Sequence, residues 1–453
     1  MKRRVKALAA TVSGLVFIGL GALWMMPPDL LRVGTGYAAK IVCSNVFVAG
    51  RDADDVLRVD VQAPGHPLLG YVSVDVDIEQ GLVTASMPLG WARSVAVHRE
   101  GLGCANVPDG ALAAAKAYSA PVAGVPAADP TLPWPDGERV NTTDLRVADV
   151  LSDETLLGPG YRAVIVIKDG RIIGEAYGAG FNAETPLLGW SMTKTVNAAL
   201  VGILQGQGRL DLSSRNLFAS WTDEVRARIT LTDLLAMESG LDFNEEYGDL
   251  TDVTRMLYLE PDMAAYVEGL PSRAEPGSRF NYSSGESVLI TRYWMSRFET
   301  PQAALDFPRQ ALFNPLGMTS AVLEADAAGT FVGSSYLYAT ARDWARFGLL
   351  IAQRGVWKGV QLLPASYVDG MYTASGASDG AYSRVQTWRQ GAGDLGNEQA
   401  GLDPATVWMR GHDGQSIAVI ASQGLVVVRL GLTPSALGYQ PQPLAKALSA
   451  ALQ

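Results

Sequence analysis

Ser191-Met192-Thr193-Lys194 is the chain's single Ser-x-x-Lys, and it is the natural place to look for chemistry. On a helix, residues three apart share a face, so the lysine amine would reach the serine hydroxyl. Serine becomes a useful nucleophile only when a neighbour takes its proton, and a lysine amine at that spacing is such a neighbour. A helix beginning here would also aim unpaired N–H groups at the serine, favouring the negative charge that develops in acyl transfer. The same four residues would equally cap a helix and leave the lysine in water. Other parts of the chain must decide between the two.

The elements around this tetrapeptide suit the first reading. Thr193 to Leu204 is apolar nearly all round, the mark of a buried central helix. Ahead of it, Ala163 to Lys168 and Arg171 to Tyr177 are apolar runs joined by Asp169-Gly170, a strong hairpin signal. Near the other end, Ser416 to Ala421 and Leu425 to Leu430 form a second strand pair around Gln423-Gly424, followed by a short helix from Pro443. The middle is largely helical, including Asp343 to Arg354 with Thr340 as N-cap. One sheet is therefore assembled from both ends of the unit.

Two further constellations accompany Ser191: Phe280-Asn281-Tyr282-Ser283-Ser284 and Gly411-His412-Asp413-Gly414-Gln415, the latter just before a strand. With them the sequence resembles the serine β-lactamase and penicillin-binding protein superfamily, nearest its class C-like esterases and aminohexanoate-dimer hydrolases. The match is carried by Ser-x-x-Lys, then Tyr-x-Ser in place of Tyr-x-Asn, then His-x-Gly in place of Lys-Thr-Gly. Met237-Glu238-Ser239-Gly240-Leu241, Pro315-Leu316-Gly317-Met318 and Ala339-Thr340-Ala341-Arg342-Asp343 add to it, and it spans Arg162 to the C-terminus.

That resemblance implies an α+β fold of the β-lactamase/transpeptidase type: an antiparallel sheet flanked by helices, with a helical subdomain. It implies Ser191 as nucleophile, Lys194 and Tyr282 as the proton-handling pair, and a phenol hydrogen-bonded into the Lys194–Ser191 network. His412 would line the opposite wall of the cleft, with Gly414 beside it in the motif. The N–H groups of Ser191 and Gln415 would form the oxyanion hole, and Ser283 and Ser284 would orient the lysine. Ser334-Ser335 is read as structural. No cofactor or metal is implied. The expected partner is a small-molecule ester or amide, hydrolysed through an acyl-serine intermediate. A non-catalytic penicillin-recognising sensor, and a true β-lactamase or D-amino peptidase, remain alternatives. Because Ser284 is short and His412 replaces a permanently charged lysine, esters and linear amides are expected to be preferred over β-lactams.

Length and composition frame this core. At 453 residues, 48% hydrophobic and 18% charged, the chain is globular and long enough for more than one unit. Its net charge is −10, and the part beyond Lys2, Arg3, Arg4 and Lys6 carries −14, which excludes nucleic acid as a partner. Those cations precede Ala7 to Met26, twenty residues without a charge. That pattern predicts a single transmembrane signal anchor in the inner membrane, with the catalytic domain on the periplasmic side; a cleaved signal peptide is the rival reading. An exported location would permit a disulfide between Cys43 and Cys104, the alternative being two buried thiols. From Ile41 to Cys104 the pattern is short and β-like, with Val72, Val74, Val76 and Ile78 alternating with polar residues. Ala111 to Tyr118 reads as helix, and Pro121, Pro126, Pro130, Pro133 and Pro135 mark a stiff linker. The expected organisation is tip and anchor at 1–28, a small β-rich module at 29–118, a Pro-rich linker at 119–145 and the hydrolase domain at 146–453. No protein partner is indicated.

Overall fold

A computed structural model describes residues 24–120, 129, 131–140, 143–393 and 395–453. The first long element is helix α1 (Asp29–Phe47). It packs against an antiparallel four-stranded sheet of β1 (Ser73–Asp77), β2 (Leu82–Met87), β3 (Trp91–Arg99) and β4 (Gly103–Asn106), in that order. The β-like reading of Ile41 onward is thus corrected up to Phe47. Ala38, Ala39, Val42 and Cys43 are fully buried, and the local run of apolar residues serves a helix enclosed on most sides rather than a strand. The helix expected at Ala111 to Tyr118 is confined to Leu112–Ala115. Cys43 and Cys104 are joined in a disulfide that ties α1 to β4.

The second sheet is built as the hairpin signals require. β5 (Tyr161–Lys168) and β6 (Arg171–Tyr177) are joined through Asp169 and Gly170, both at positive φ, as a two-residue hairpin demands. From the far end come β7 (Val407–Gly411), β8 (Gln415–Ile420) and β9 (Leu425–Gly431), giving the antiparallel order β7-β8-β9-β5-β6. Alternation assigns the faces. Ala163, Ile165, Ile167, Ile417, Val419, Val426 and Val428 join the main core, whereas Val164, Val166, Ala418, Ile420 and Val427 join a separate cluster on the other side. Helix α5 (Ala341–Ala352) covers the first face, its start capped by Thr340, whose side chain accepts from the Asp343 N–H. Helix α6 (Gln442–Ala451) contributes Leu444, Ala445 and Leu448 to the second. Between the sheet halves in sequence lie α2 (Met192–Gly206), α3 (Asp252–Leu259) and α4 (Ser284–Met295). All of α2 from Met192 to Leu204 is buried, which explains its apolar circumference.

The N-terminal segment is stitched to this body by charge as well as by apolar contact. Asp60 receives Arg162 of β5 at 2.6 Å and Arg51 at 2.5 Å. Lys40 on α1 pairs with the fully buried Glu324, which also accepts from Ser44 Oγ at 2.8 Å and from the Cys104 N–H at 2.7 Å. The described part of the Pro-rich stretch lies against α5, where Arg346 donates to the carbonyls of Pro135 and Gly137.

Of the stretch expected to span a membrane, residues 7–23 lie outside the described residues. Among the described residues no helix is long and apolar enough to cross a membrane. The expected single-pass inner-membrane location is corrected accordingly. α1, the nearest long helix, carries Asp29, Arg32 and a buried Lys40, and spends its apolar side on the fold's own core.

Candidate active site

The chain reaches Ser191 through a sharp turn. Trp190 holds φ at +48°, a left-handed conformation that costs a bulky residue of order 1–3 kcal/mol and that clusters at functional positions. Its ring is fixed on both sides, 5.5 Å from His412 and 6.2 Å from Tyr336 between centroids. The turn places Ser191 at the N-cap of α2, and the N–H groups of Met192, Thr193 and Lys194 are used in closing it.

Lys194 lies one turn in and is almost wholly buried. Its Nζ donates to Ser191 Oγ at 3.0 Å, to Ser284 Oγ at 2.9 Å and to the Ser334 carbonyl at 3.1 Å. Ser284, at the start of α4, is held in turn by Glu245, whose carboxylate accepts from its hydroxyl at 2.6 Å and from its N–H at 2.7 Å. Glu245 is 3.9 Å from Lys194 Nζ, in charge contact through the serine rather than in a direct hydrogen bond. Burial pushes the Glu245 carboxyl above its ordinary range, against the opposing pull of Lys194 and the two Ser284 donors.

Ser191, Tyr282, His412, Gly414 and Gln415 line one cavity of about 270 Å³, together with Glu245, Tyr247, Trp388 and Arg410. The Tyr282 ring centroid is 4.8 Å from Lys194 Nζ and 5.0 Å from the Trp388 ring. Among the described residues no hydrogen bond joins the phenol to Ser191 or Lys194, so the direct contact expected between them is not made and the ring face is what meets the amine.

His412-Asp413-Gly414 forms the tight turn between β7 and β8. Gly414 sits there at φ +83°, and its carbonyl accepts from Arg429 at 3.0 Å. A Cβ on Gly411, just before the turn, would come within 2.3 Å of the Gly189 carbonyl, so the end of β7 abuts the Ser191 turn only because that residue is glycine. The Gln415 side chain is committed to structure: its Nε2 donates to the carbonyls of His412 and Gly431, and its Oε1 accepts from the Gly431 N–H. The His412 ring stacks obliquely on Tyr247, 4.8 Å between centroids.

Sequence reasoning missed three contributors. The Ser334 carbonyl is a direct Lys194 partner, although Ser334-Ser335 reads as structural. Glu245 stands beside Glu246 in a loop, where no periodicity tells which carboxylate turns inward; its place soon after Met237-Glu238-Ser239-Gly240-Leu241 was the available signal. Arg410 is a cation on the cavity wall, stacked 4.2 Å from the Trp388 ring, with no ion pair to any described carboxylate. The cleft thus carries a positive charge from Arg410 although His412 stands in place of lysine. Gly376-Ala377-Ser378-Asp379-Gly380 has the Gly-x-Ser-x-Gly form, but Ser378 is buried and its hydroxyl is spent on the Tyr382 carbonyl and N–H.

The 6-aminohexanoate-dimer hydrolase of Paenarthrobacter ureafaciens is 22% identical over 330 residues, covering 67% of this chain and 82% of that protein. Among solved structures, a family VIII carboxylesterase is similar with a TM-score of 0.52 at 15% identity, over 69% of this chain and 98% of the other. A penicillin-binding protein from Bacillus halodurans is similar with a TM-score of 0.51 at 17% identity, over 67% and 99%. At these identities the structural likenesses establish the fold alone. The family model described as Beta-lactamase matches residues 159–435, more than half the chain and all of Ser191, Lys194, Tyr282 and His412, and the chain belongs to that family of serine hydrolases.

Proposed function

We propose that the protein hydrolyses an ester or linear amide through an acyl-Ser191 intermediate, with residues 146–453 as the catalytic unit and 29–118 as an accessory module. The observation that carries this reading is the 3.0 Å contact between Ser191 Oγ and a buried Lys194 whose other partners are a hydroxyl and a carbonyl. That contact can run in either sense: an uncharged amine accepts the serine proton as Oγ attacks the substrate carbonyl. Tyr282 relays the proton to the leaving alcohol or amine, and the N–H groups of Ser191 and Gln415 receive the oxyanion, each worth on the order of 3 kcal/mol of barrier. Water then attacks the acyl-enzyme by the reverse proton path. The similarity to a 6-aminohexanoate-dimer hydrolase supports this substrate class.

The test is a stopped-flow assay with a short-chain nitrophenyl ester, with mass spectrometry of the quenched protein. A burst followed by steady turnover, and an acyl adduct on the Ser191 peptide absent from Ser191→Ala, is the expected result. A stoichiometric burst without turnover would instead mark a sensor. Parallel assays with a cephalosporin decide between esters or amides and β-lactams. Arg410 makes an anionic substrate compatible with the cavity.

A further inference from the structure

A second, larger cavity of about 380 Å³ adjoins the first, and both are lined by Tyr247, His412, Asp413 and Ser435. Its far wall belongs to the N-terminal segment: Leu31 and Val33 of α1, then Leu68, Leu69, Val72 and Met87. None of these lies within the residues matched by the family model, which begins at 159. Trp190, the residue before the nucleophile, forms part of the near wall. Pockets of roughly 300–1,000 Å³ that are mostly apolar with a few polar groups are the usual form of small-molecule sites. Here the exposed His66 and Asp249 supply polar groups at the solvent side.

We infer that this cavity is a substrate subsite for an unbranched aliphatic chain, so that the accessory module sets acyl-chain specificity. The inference rests on the reading of Ser191 as the acylated nucleophile. Tyr247, His412, Asp413 and Ser435 form the border common to the two cavities, so an acyl group on Ser191 has the second cavity beyond Tyr247 and His412 to extend into. Lys40, Glu324, Asp60, Arg162 and the Cys43–Cys104 bridge hold that wall in register with the catalytic body. Each methylene moved from water into such a wall is worth about fourfold in kcat/KM, so chain length should be read steeply until the cavity is full.

The experiment compares 4-nitrophenyl acetate, butyrate, octanoate and palmitate with the full chain and with two variants at exposed wall positions, Leu68→Trp and Leu30→Glu; these residues are 37% and 38% exposed, so neither change disturbs the core. Expected is a wild-type preference for octanoate over acetate, and a fall of about tenfold or more in the octanoate-to-acetate ratio of kcat/KM in both variants. A wild-type enzyme that favours acetate, or a ratio untouched by both substitutions, would overturn the inference while leaving acyl-Ser191 chemistry intact. Calorimetric titration of octanoate into Ser191→Ala reads the cavity without turnover: binding that is weakened by Leu68→Trp supports the subsite, and no binding overturns it. Absence of any acyl adduct on Ser191 with every ester would instead remove the proposed function, with the titration still deciding the cavity.

Discussion

Among the described residues two lysines are buried, and their surroundings differ in a way that separates a staple from a catalyst. Lys40 meets the fully buried Glu324 carboxylate directly, donates to Ser44 Oγ at 2.8 Å and lies 3.9 Å over the Tyr336 ring. Burial pushes its ammonium below the ordinary value while Glu324 opposes that shift. Every one of these partners is itself enclosed. Lys194 has no carboxylate in direct hydrogen-bond contact. Its partners are two hydroxyls and a carbonyl, its carboxylate stands behind Ser284, and one of the hydroxyls faces a cavity. A lysine saturated by a buried anion can only hold; one held by neutral oxygens can exchange a proton with them.

The sharpest test of this contrast is exchange of each lysine for methionine, which keeps the stem and removes the amine. Lys194→Met is expected to lower kcat by about four orders of magnitude, roughly 5 kcal/mol of barrier. Combining it with Ser191→Ala should cost little more, because groups that act as a unit are not additive. Near-native turnover in Lys194→Met, measured by stopped-flow at saturating ester, would make the two lysines equivalent and end the comparison. Lys40→Met should do the reverse. Leaving Glu324 buried without its partner costs about 3–5 kcal/mol of stability, read by denaturant titration, while kcat per folded molecule stays near wild type. Adding Glu324→Gln, which keeps an acceptor for the Cys104 N–H, should restore most of that loss.

The contrast was only half legible in the sequence. Lys194 announced itself through a spacing, three residues from a serine at the head of an apolar helix, because helical geometry is local. Lys40 carried no such sign: its partner is 284 residues away, and a lysine in an apolar run reads as solvated until the fold encloses it. The same division runs through the rest. The strand pairs at 161–177 and 415–431 were legible because short apolar runs joined by Asp-Gly or Gln-Gly turns are local features. Ile41 to Phe47 was misread because a short apolar run has no decisive period when it is enclosed on most sides. His412 was found by motif, but its position in a turn rather than on a strand depends on Asp413 adopting φ +57°, which no neighbouring residue type dictates. Glu245 became visible only when α4 brought Ser284 to it.

The Cys43–Cys104 bridge tests whether the Lys40 site owes its geometry to the covalent tie beside it. Closing a loop of 61 residues is worth about 2–4 kcal/mol in bridges of this kind. Reduction under native conditions should lower the unfolding free energy by that amount, read by denaturant titration, and a Lys40→Met background should lose less, since the two features constrain the same contact between α1 and β4. Full additivity of the two losses would show that they act on separate parts of the fold.

Glu245→Gln gives the smallest expected effect, and it concerns the carboxylate that distinguishes the two lysines. Glutamine keeps one acceptor, for the Ser284 N–H, and its amide nitrogen donates to the Ser284 hydroxyl where the carboxylate accepted from it, so the lysine stays in place while the charge behind it disappears. Activity should fall by about tenfold, of order 1 kcal/mol, with a displaced acid limb in the kcat–pH profile; a structural role alone would leave that limb where it is. Stability supplies a second reading with a definite sign. Burial raises the folded-state pKa of Glu245 above the unfolded value, so the folded protein binds the proton more tightly than the unfolded chain does. Its contribution to stability is therefore fully present below the ordinary glutamate value near 4.3 and is lost as pH rises through the folded value. The glutamine variant has no proton to lose there. Thermal unfolding of the two proteins from pH 4 to pH 8 should show the variant gaining on the wild type as pH rises. A gap that widens the other way would mean that Lys194 holds Glu245 ionised more strongly than burial opposes it, and the site would then resemble the Lys40 pair.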